Sequence, residues 1–528
     1  MAECLDRVLK GGMVVDGTGA AGFRADVGIR DGRIAAVGAG LSGSEAIDCS
    51  DHVVAPGFID THSHSDVKLL AEPTLPMKIL QGITLEVLGQ DGISVAPVKV
   101  EERSDWKQKL AGLLGDFGVP WNWSSVAEYL DRFRVTRPAP DLAYLAPHGA
   151  IRQWVMGGGD RKASREELLG MQALLEASLQ QGACGMSTGL IYPPCCYADT
   201  DELIALGRVL AQQRRPLVVH MRSESDRILE AVAELIQVAE LSGCAVHISH
   251  LKIAGRQNWG RADELLRRLE SARSRGLRLT ADQYPYVAGS TLLGAILPPW
   301  AHDGGPQATL GRLRDPGARA RLRVQMADAS PSDWDNFWKW SGPEGIVIAD
   351  IPSGCRPDWL GKTLAQLAAA SGKDAFETAF DLLLEERMGV AMVSLSQDEP
   401  VVERLFVDSY VNVCSDGLPG GRSHPRSYGA FPRILGRYVR ERRVLGLEEA
   451  VRKMSAQAAD AMGFQEVGRV REGLRANLVV FDPTSVADRA TFEDPVQYPV
   501  GIRDVLVGGE PIVRDAEVTG ACPGKIVK

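Results

Sequence analysis

The stretch Asp60-Thr61-His62-Ser63-His64-Ser65 closes an apolar run, Val53-Val54-Ala55-Pro56-Gly57-Phe58-Ile59, that reads as a buried strand. Side chains alternate faces along a strand, so His62 and His64 point the same way. Two imidazoles leaving one strand end together form half of a metal site. A bare His-x-His also occurs as a structural feature, so the remaining ligands must come from further along the chain. Three candidates stand after other short apolar runs. They are His220 in Val219-His220-Met221-Arg222-Ser223-Glu224, His250 in His247-Ile248-Ser249-His250-Leu251-Lys252, and Asp416 in Cys414-Ser415-Asp416-Gly417. A metal held by neutral imidazoles and a carboxylate brings the pKa of water toward neutrality, which makes hydroxide available for hydrolysis. A carboxylate beside that water, here Asp416, can take its proton and deliver it to a leaving nitrogen.

The elements that must gather these residues alternate between short strands and helices, the pattern of parallel βα units. Strands are predicted at Val53–Asp60, Thr84–Leu88, Leu142–Ala146, Gly185–Thr188, Pro216–Val219, Ala245–Ser249, Arg278–Ala281 and Val411–Ser415. Helices are predicted at Arg165–Gln181, Thr200–Gln213, Ser225–Ser242 and Arg261–Gly276. Eight such units predict an α/β chain folded as a (β/α)8 TIM-like barrel, with its chemistry where the strands end. The rhythm breaks from Leu292 to about Gly345, a stretch with Trp334, Trp338 and Trp340 that reads as an inserted subdomain. Both chain ends carry short alternating strands and turn signals, such as Arg30-Asp31-Gly32 and Gly508-Gly509. Neither set alone can bury a core, so the two are expected to pair as one small β-sandwich. The expected division is 1–55 and 466–528 for the sandwich and 56–465 for the barrel, with the insertion at about 292–345.

The 528 residues carry a net charge of −9 without a basic cluster, which argues against nucleic acid as a partner. Nine scattered cysteines form no spaced framework and predict reduced thiols. The start, Met1-Ala2-Glu3-Cys4-Leu5-Asp6-Arg7, lacks the order of a signal peptide, and no apolar run reaches the ~18 residues that span a bilayer. A cytoplasmic protein acting on a small molecule, away from membranes, is the expectation, with oligomerisation left open.

The order His-x-His, His, His, Asp on strands one, five, six and eight resembles the amidohydrolase superfamily. His220-Met221-Arg222-Ser223-Glu224, Ile248-Ser249-His250-Leu251-Lys252, Asn258-Trp259-Gly260-Arg261, Tyr284-Pro285-Tyr286 and His424-Pro425-Arg426 narrow this. Together they resemble the N-acyl-D-amino-acid deacylase (D-aminoacylase) family over nearly the whole chain. The resemblance implies hydrolysis of an N-acyl-D-amino acid with Asp416 as general base and acid. It implies zinc held tightly by the bridging residue with His220 and His250, and a second, weaker site at His62 and His64. It also implies that Arg426, Tyr284 and Ser290 receive the substrate carboxylate. Lys252 would meet an acidic substrate side chain or a neighbouring carboxylate such as Glu224, while His148 and His424 would support from behind.

One departure matters. The family's bridging cysteine lies in a Gly-Asn-Cys-Gly turn, which here reads Gly89-Gln90-Asp91-Gly92. Asp91 is the favoured replacement ligand, although a carboxylate is harder than thiolate. The alternatives are that Asp91 only bonds its own turn, or that Cys195 or Cys196 supplies the sulfur. A cyclic-amide hydrolase of the hydantoinase or dihydroorotase type shares the barrel, but it carries a carbamylated lysine after strand four. The run Gly185-Met186-Ser187-Thr188-Gly189-Leu190 has no lysine. A non-catalytic scaffold would be expected to have lost ligands that this chain retains.

Overall fold

The computed structural model describes residues 4–528; Met1–Glu3, which open the terminal domain and the leader reading, lie outside the described residues. Eight parallel strands pair in chain order: Phe58–Asp60, Ile83–Leu88, Asp141–Pro147, Gly185–Gly189, Pro216–His220, Ala245–Ile248, Leu279–Gln283 and Val411–Val413. Past the strand ends a bridge between Ser63 and Gly417 joins first to last. The amide of Asp416 donates to the carbonyl of His62 at 2.9 Å, and that of His64 to Gly417 at 3.3 Å. The contacts that close the barrel thus run through three of the residues singled out by their chemistry.

The predicted first strand, Val53–Asp60, divides in two at Gly57. Val53–Pro56 pairs with Met13–Val14 and with Leu478–Phe481, whereas Phe58–Asp60 pairs with Ile83–Leu88 of the barrel. The crossing needs glycine, since a Cβ there would lie 2.3 Å from the side chain of Thr84. The two chain ends share one nine-stranded sheet. It wraps a core in which Val27 and Ile34 from the start lie with Leu478 and Leu506 from the end. Both predicted hairpin turns, Asp31-Gly32 and Gly508-Gly509, carry the paired positive φ that such turns require.

Helices Arg165–Gln181, Thr200–Gln212, Ile228–Ser242 and Ala262–Ser274 follow strands three to six. Ser164 and Glu167 start the first with a capping box, and Asp199 caps the second. The inserted subdomain is larger than the expected 292–345. It is built on a three-stranded sheet in which Ala391–Leu395 pairs between Ala288–Leu292 and Ile346–Asp350. That central strand lies far along the sequence, and it brings helices Leu364–Ser371 and Ala375–Glu385 into the same core as Leu310, Leu322 and Trp338. No helix among the described residues is long and apolar enough to cross a membrane.

A fully buried lysine holds the barrel seam. Lys78 Nζ donates to Asp60 Oδ2 at 2.6 Å, Ser415 Oγ at 2.7 Å and Ser63 Oγ at 2.9 Å, and lies 3.1 Å from Glu86 Oε1. Asp60 Oδ1 in turn accepts from the amide of Ser415 at 2.8 Å. Burial works against the ammonium, but Asp60 and Glu86 more than offset it and raise its pKa. Lys78→Met would leave two carboxylates buried without a counter-ion, so a loss of about 3–5 kcal/mol is expected. Urea unfolding of chelator-treated protein checks this apart from any effect of metal; unchanged stability would refute it.

Candidate metal centre

Five strand ends at the C-terminal mouth of the barrel deliver the ligand set. His62 and His64 follow the first strand, Asp91 sits in the turn after the second, and His220 ends the fifth. His250 and Asp416 follow the sixth and eighth. Asp91, His250 and Asp416 all have left-handed backbones, with φ of 56°, 34° and 47°. Non-glycine residues rarely adopt this conformation, and surrounding structure must hold them there. For Asp91 the holding is tight packing: a Cβ on Gly89 would lie 2.2 Å from the carbonyl of Leu145, and one on Gly92 2.7 Å from Cys195 Sγ. For His250 it is Asp282. This carboxylate accepts from the His250 amide, from Thr61 Oγ1 at 2.6 Å and from His247 Nε2 at 3.0 Å.

Asp91 stands between two histidine pairs. Its Oδ2 lies 3.6 Å from His62 Nε2 and 3.5 Å from His64 Nε2. Its Oδ1 lies 3.6 Å from His250 Nε2 and 3.8 Å from His220 Nδ1. Asp416 Oδ1 is 3.6 Å and 3.4 Å from the same nitrogens of His62 and His64. These separations are too long for hydrogen bonds, but two ligands on one tetrahedral zinc lie about 3.4 Å apart. Both ring nitrogens of His62, Asp91 Oδ1 and His220 Nε2 are buried without a hydrogen-bond partner. Groups buried in this way are costly unless something unshown satisfies them. His220 Nδ1 and His250 Nε2 face each other at 3.0 Å. The donor set fits one or two divalent cations.

Charge supports the same reading. Burial works to raise the Asp91 carboxyl, but His62, His250 and His64 together hold it well below the usual range. Asp416 is likewise lowered against burial, chiefly by Arg426 and then by His62 and His250. Burial takes His220 down to about 4, which leaves the imidazole neutral, as a ligand must be. His64 goes up to about 9: burial opposes the rise, and Asp416 and Asp91 outweigh it. Asp91 and Asp416 therefore face the imidazoles as anions, the state in which a carboxylate ligates a metal. His64 and His250, the latter also raised to about 9, hold protons that a bound cation would displace.

The groups expected around the ligands divide into those at the cluster and those behind it. Lys252 is paired with a neighbour, at 2.5 Å from Glu224 Oε1, and its Nζ lies 2.7 Å from His250 Nδ1. Glu224 Oε1 lies 3.0 Å from His250 Nδ1 as well, so the carboxylate orients that ring. Arg426 is fully buried, with Nη1 2.7 Å from Asp416 Oδ2 and Nη2 donating to the Ser290 carbonyl at 3.0 Å. Its Nε has no partner, and its guanidinium lies over the ring of Tyr284. Ser290 Oγ is committed to the Met392 carbonyl at 2.9 Å, while Tyr284 Oη accepts from Gln397 at 3.0 Å. His424 Nδ1 accepts from the Arg426 amide, and His148 bonds Thr188 and Glu202. Cys196 does not join the cluster, since among the described residues no ligand group includes a cysteine. Cys195 Sγ packs behind the turn, 4.0 Å from the Gly92 carbonyl. Sequence reading missed Asp282 and Lys78. For Asp282 the available signal was an acidic residue near the C-terminal end of a barrel strand; a lone lysine in a loop helix offers none.

Comparison with known proteins agrees with this geometry. The sequence model of the amidohydrolase family matches residues 45–513. The chain is 35% identical to a D-aminoacylase of Alcaligenes xylosoxydans xylosoxydans, covering 100% of this chain and 98% of the relative. It is 36% identical to an N-acyl-D-glutamate deacylase of the same organism, covering 100% and 97%. Among solved structures, the N-acyl-D-glutamate deacylase of Bordetella bronchiseptica, complexed with zinc and a phosphonate inhibitor, superposes with a TM-score of 0.83. That match is at 35% identity and covers 99% of this chain and 100% of the other. With barrel, ligand order and end-to-end similarity in agreement, this chain belongs to the amidohydrolase family, within the group that holds the D-aminoacylases.

Proposed function

We propose that this protein is a zinc-dependent deacylase that hydrolyses the amide bond of N-acyl-D-amino acids, releasing a carboxylic acid and a free D-amino acid. The observation that carries the reading is Asp91, with one oxygen toward His62 and His64 and the other toward His220 and His250. Asp91, His220 and His250 would hold the tightly bound zinc, and His62 and His64 with Asp416 a second, weaker one. Zinc supplies a Lewis acid that acidifies water and polarises a carbonyl.

Asp416 Oδ1 faces the cluster, while Arg426 holds the other oxygen and keeps the group ionised, ready to accept a proton. The proton leaves water as its oxygen bonds to the acyl carbon. Asp416 then returns it to the amide nitrogen as the C–N bond breaks, because an amine leaves poorly unless protonated. The partnerless Nε of Arg426 offers a donor for the amino-acid carboxylate, and Tyr284 forms the adjoining wall. Ser290 takes part through the carbonyl that positions Arg426. Lys252 and Glu224 set the His250 ring. The hydantoinase-type alternative lacks its lysine after the fourth strand, and the scaffold alternative leaves the intact ligand set unexplained.

Asp416→Asn is expected to lower kcat on an N-acetyl-D-amino acid by about 10²–10⁴-fold while the tightly bound zinc is retained. Steady-state kinetics beside metal analysis checks both halves, and near-normal kcat would remove Asp416 from the chemistry. Asp91→Ala is expected to lose that zinc and Cys196→Ala to keep it. The opposite pattern in the metal content of the purified variants would return the bridging role to sulfur. Turnover of hydantoins with none of linear N-acyl amino acids would replace the deacylase reading altogether.

A further inference from the structure

The space directly over the ligands is narrow, about 30 Å³. Beside it lies a hollow of about 380 Å³, within the range of small-molecule sites. Tyr192 and Phe337 line both, so the two spaces share a wall. The larger one is framed by the barrel loops on one side and the inserted subdomain on the other. Trp106, Leu190, Ile191, Leu292, Leu297 and Met388 present hydrocarbon to it.

Most of its charged lining is committed elsewhere or acidic. Arg222 is bound to Glu234 and to the carbonyls of Cys196 and Ala198. Lys109 donates to the Pro193 carbonyl at 2.8 Å and lies over the Trp106 ring, and His302 Nε2 bonds the Gly294 carbonyl at 3.2 Å. Asp335 accepts from Ser223, Ser225 and the amide of Glu224. Asp105 and Asp333 are exposed at the rim. A guest would therefore meet largely apolar walls, one cation, Lys109, held by a carbonyl and an aromatic face, and acidic residues at the entrance. Burying a carboxylate there would cost its hydration, with Lys109 the one lining cation that lacks an acidic partner to set against that cost. A hydrocarbon group would gain in proportion to the area it buries.

Resting on the deacylase reading, we propose that this hollow receives a bulky apolar substituent of the substrate. The enzyme then selects N-acyl-D-amino acids bearing a large hydrocarbon group and rejects acidic ones. Overall similarity does not choose between these classes, because a D-aminoacylase and an N-acyl-D-glutamate deacylase match the chain almost equally, at 35% and 36%. The lining does choose. The apolar group has two sources, the amino-acid side chain or the acyl chain, and both are tested below.

The experiment compares kcat/KM of the zinc-loaded enzyme on four substrates. They are N-acetyl-D-alanine as the small reference, N-acetyl-D-phenylalanine, N-octanoyl-D-alanine and N-acetyl-D-glutamate. At least one bulky apolar substrate is expected to exceed the reference by about 10-fold or more, the scale on which apolar pockets discriminate, and glutamate to fall below the reference. The bulky substrate that gains identifies the source. Ala295 also lines the hollow and touches none of the proposed machinery. Ala295→Trp should erase the bulky gain and leave N-acetyl-D-alanine within about 2-fold. Ala295→Leu should do so in part if the larger residue impairs folding. Equal rates on all four, or glutamate as the best substrate, overturns this inference and leaves the deacylase reading standing. Turnover of none of the four overturns both.

Discussion

One carboxylate shared between two pairs of imidazoles is the arrangement on which the rest of the molecule depends. Four histidines and two aspartates are almost entirely removed from water at the mouth of the barrel. Such a cluster is tolerable only if every lone pair finds an electrophile. Asp91 stands at the centre of that demand, its own Oδ1 among the groups without a partner, and the geometry around it serves to keep it there. The left-handed turn and its two flanking glycines press it inward against the third and fourth strands. A thiolate would reach the same place with one atom, whereas the carboxylate reaches it with two, one facing each pair. The distances from Asp91 to the four rings fall within 3.5–3.8 Å, so neither pair is favoured in the protein as it stands.

Around this centre, positioning is layered. Asp282 gathers the backbone of His250, the hydroxyl of Thr61 and the ring of His247, tying the first, sixth and seventh strands together below the ligands. At the adjoining seam Lys78 joins Asp60, Glu86 and Ser415, tying the first, second and eighth. Both devices are charged and fully buried, and each spans strands that are distant in sequence. The barrel ends are thus fastened by polar contacts, while apolar packing fills the body beneath. Arg426 occupies a similar place for Asp416, and His424 holds Arg426 through its amide.

Much of this was legible in the sequence, for a physical reason. Barrel strands are short apolar runs, and a histidine or aspartate immediately after one stands at the working face, so His62, His64, His220, His250 and Asp416 could be read from position alone. The helices from Arg165 to Ser274 were equally plain as long stretches between the short apolar runs, and the first two also start on caps, Ser164 and Asp199. What resisted reading depends on pairing across long stretches of chain. The extent of the inserted subdomain turns on Ala391–Leu395 lying between two strands that precede it by many residues. Lys252 has two possible partners on paper, and only the fold brings Glu224 to it. Ser290 looked like a hydroxyl free for substrate, yet the small sheet claims that hydroxyl and leaves the carbonyl to act.

The crossing at Gly57 has a consequence for how the molecule comes into being. Val53–Pro56 has Met13–Val14 on one flank and Leu478–Phe481 on the other, and the same strand runs on through Gly57 toward His62. On a ribosome, the early strand emerges long before the late one that completes its pairing. The first histidine pair therefore waits, with one edge of its supporting strand open, until Leu478–Phe481 has been made. Assembly of the centre is in this sense a late event of synthesis, and a nascent chain stalled just before Leu478 would hold every ligand and still lack the finished frame.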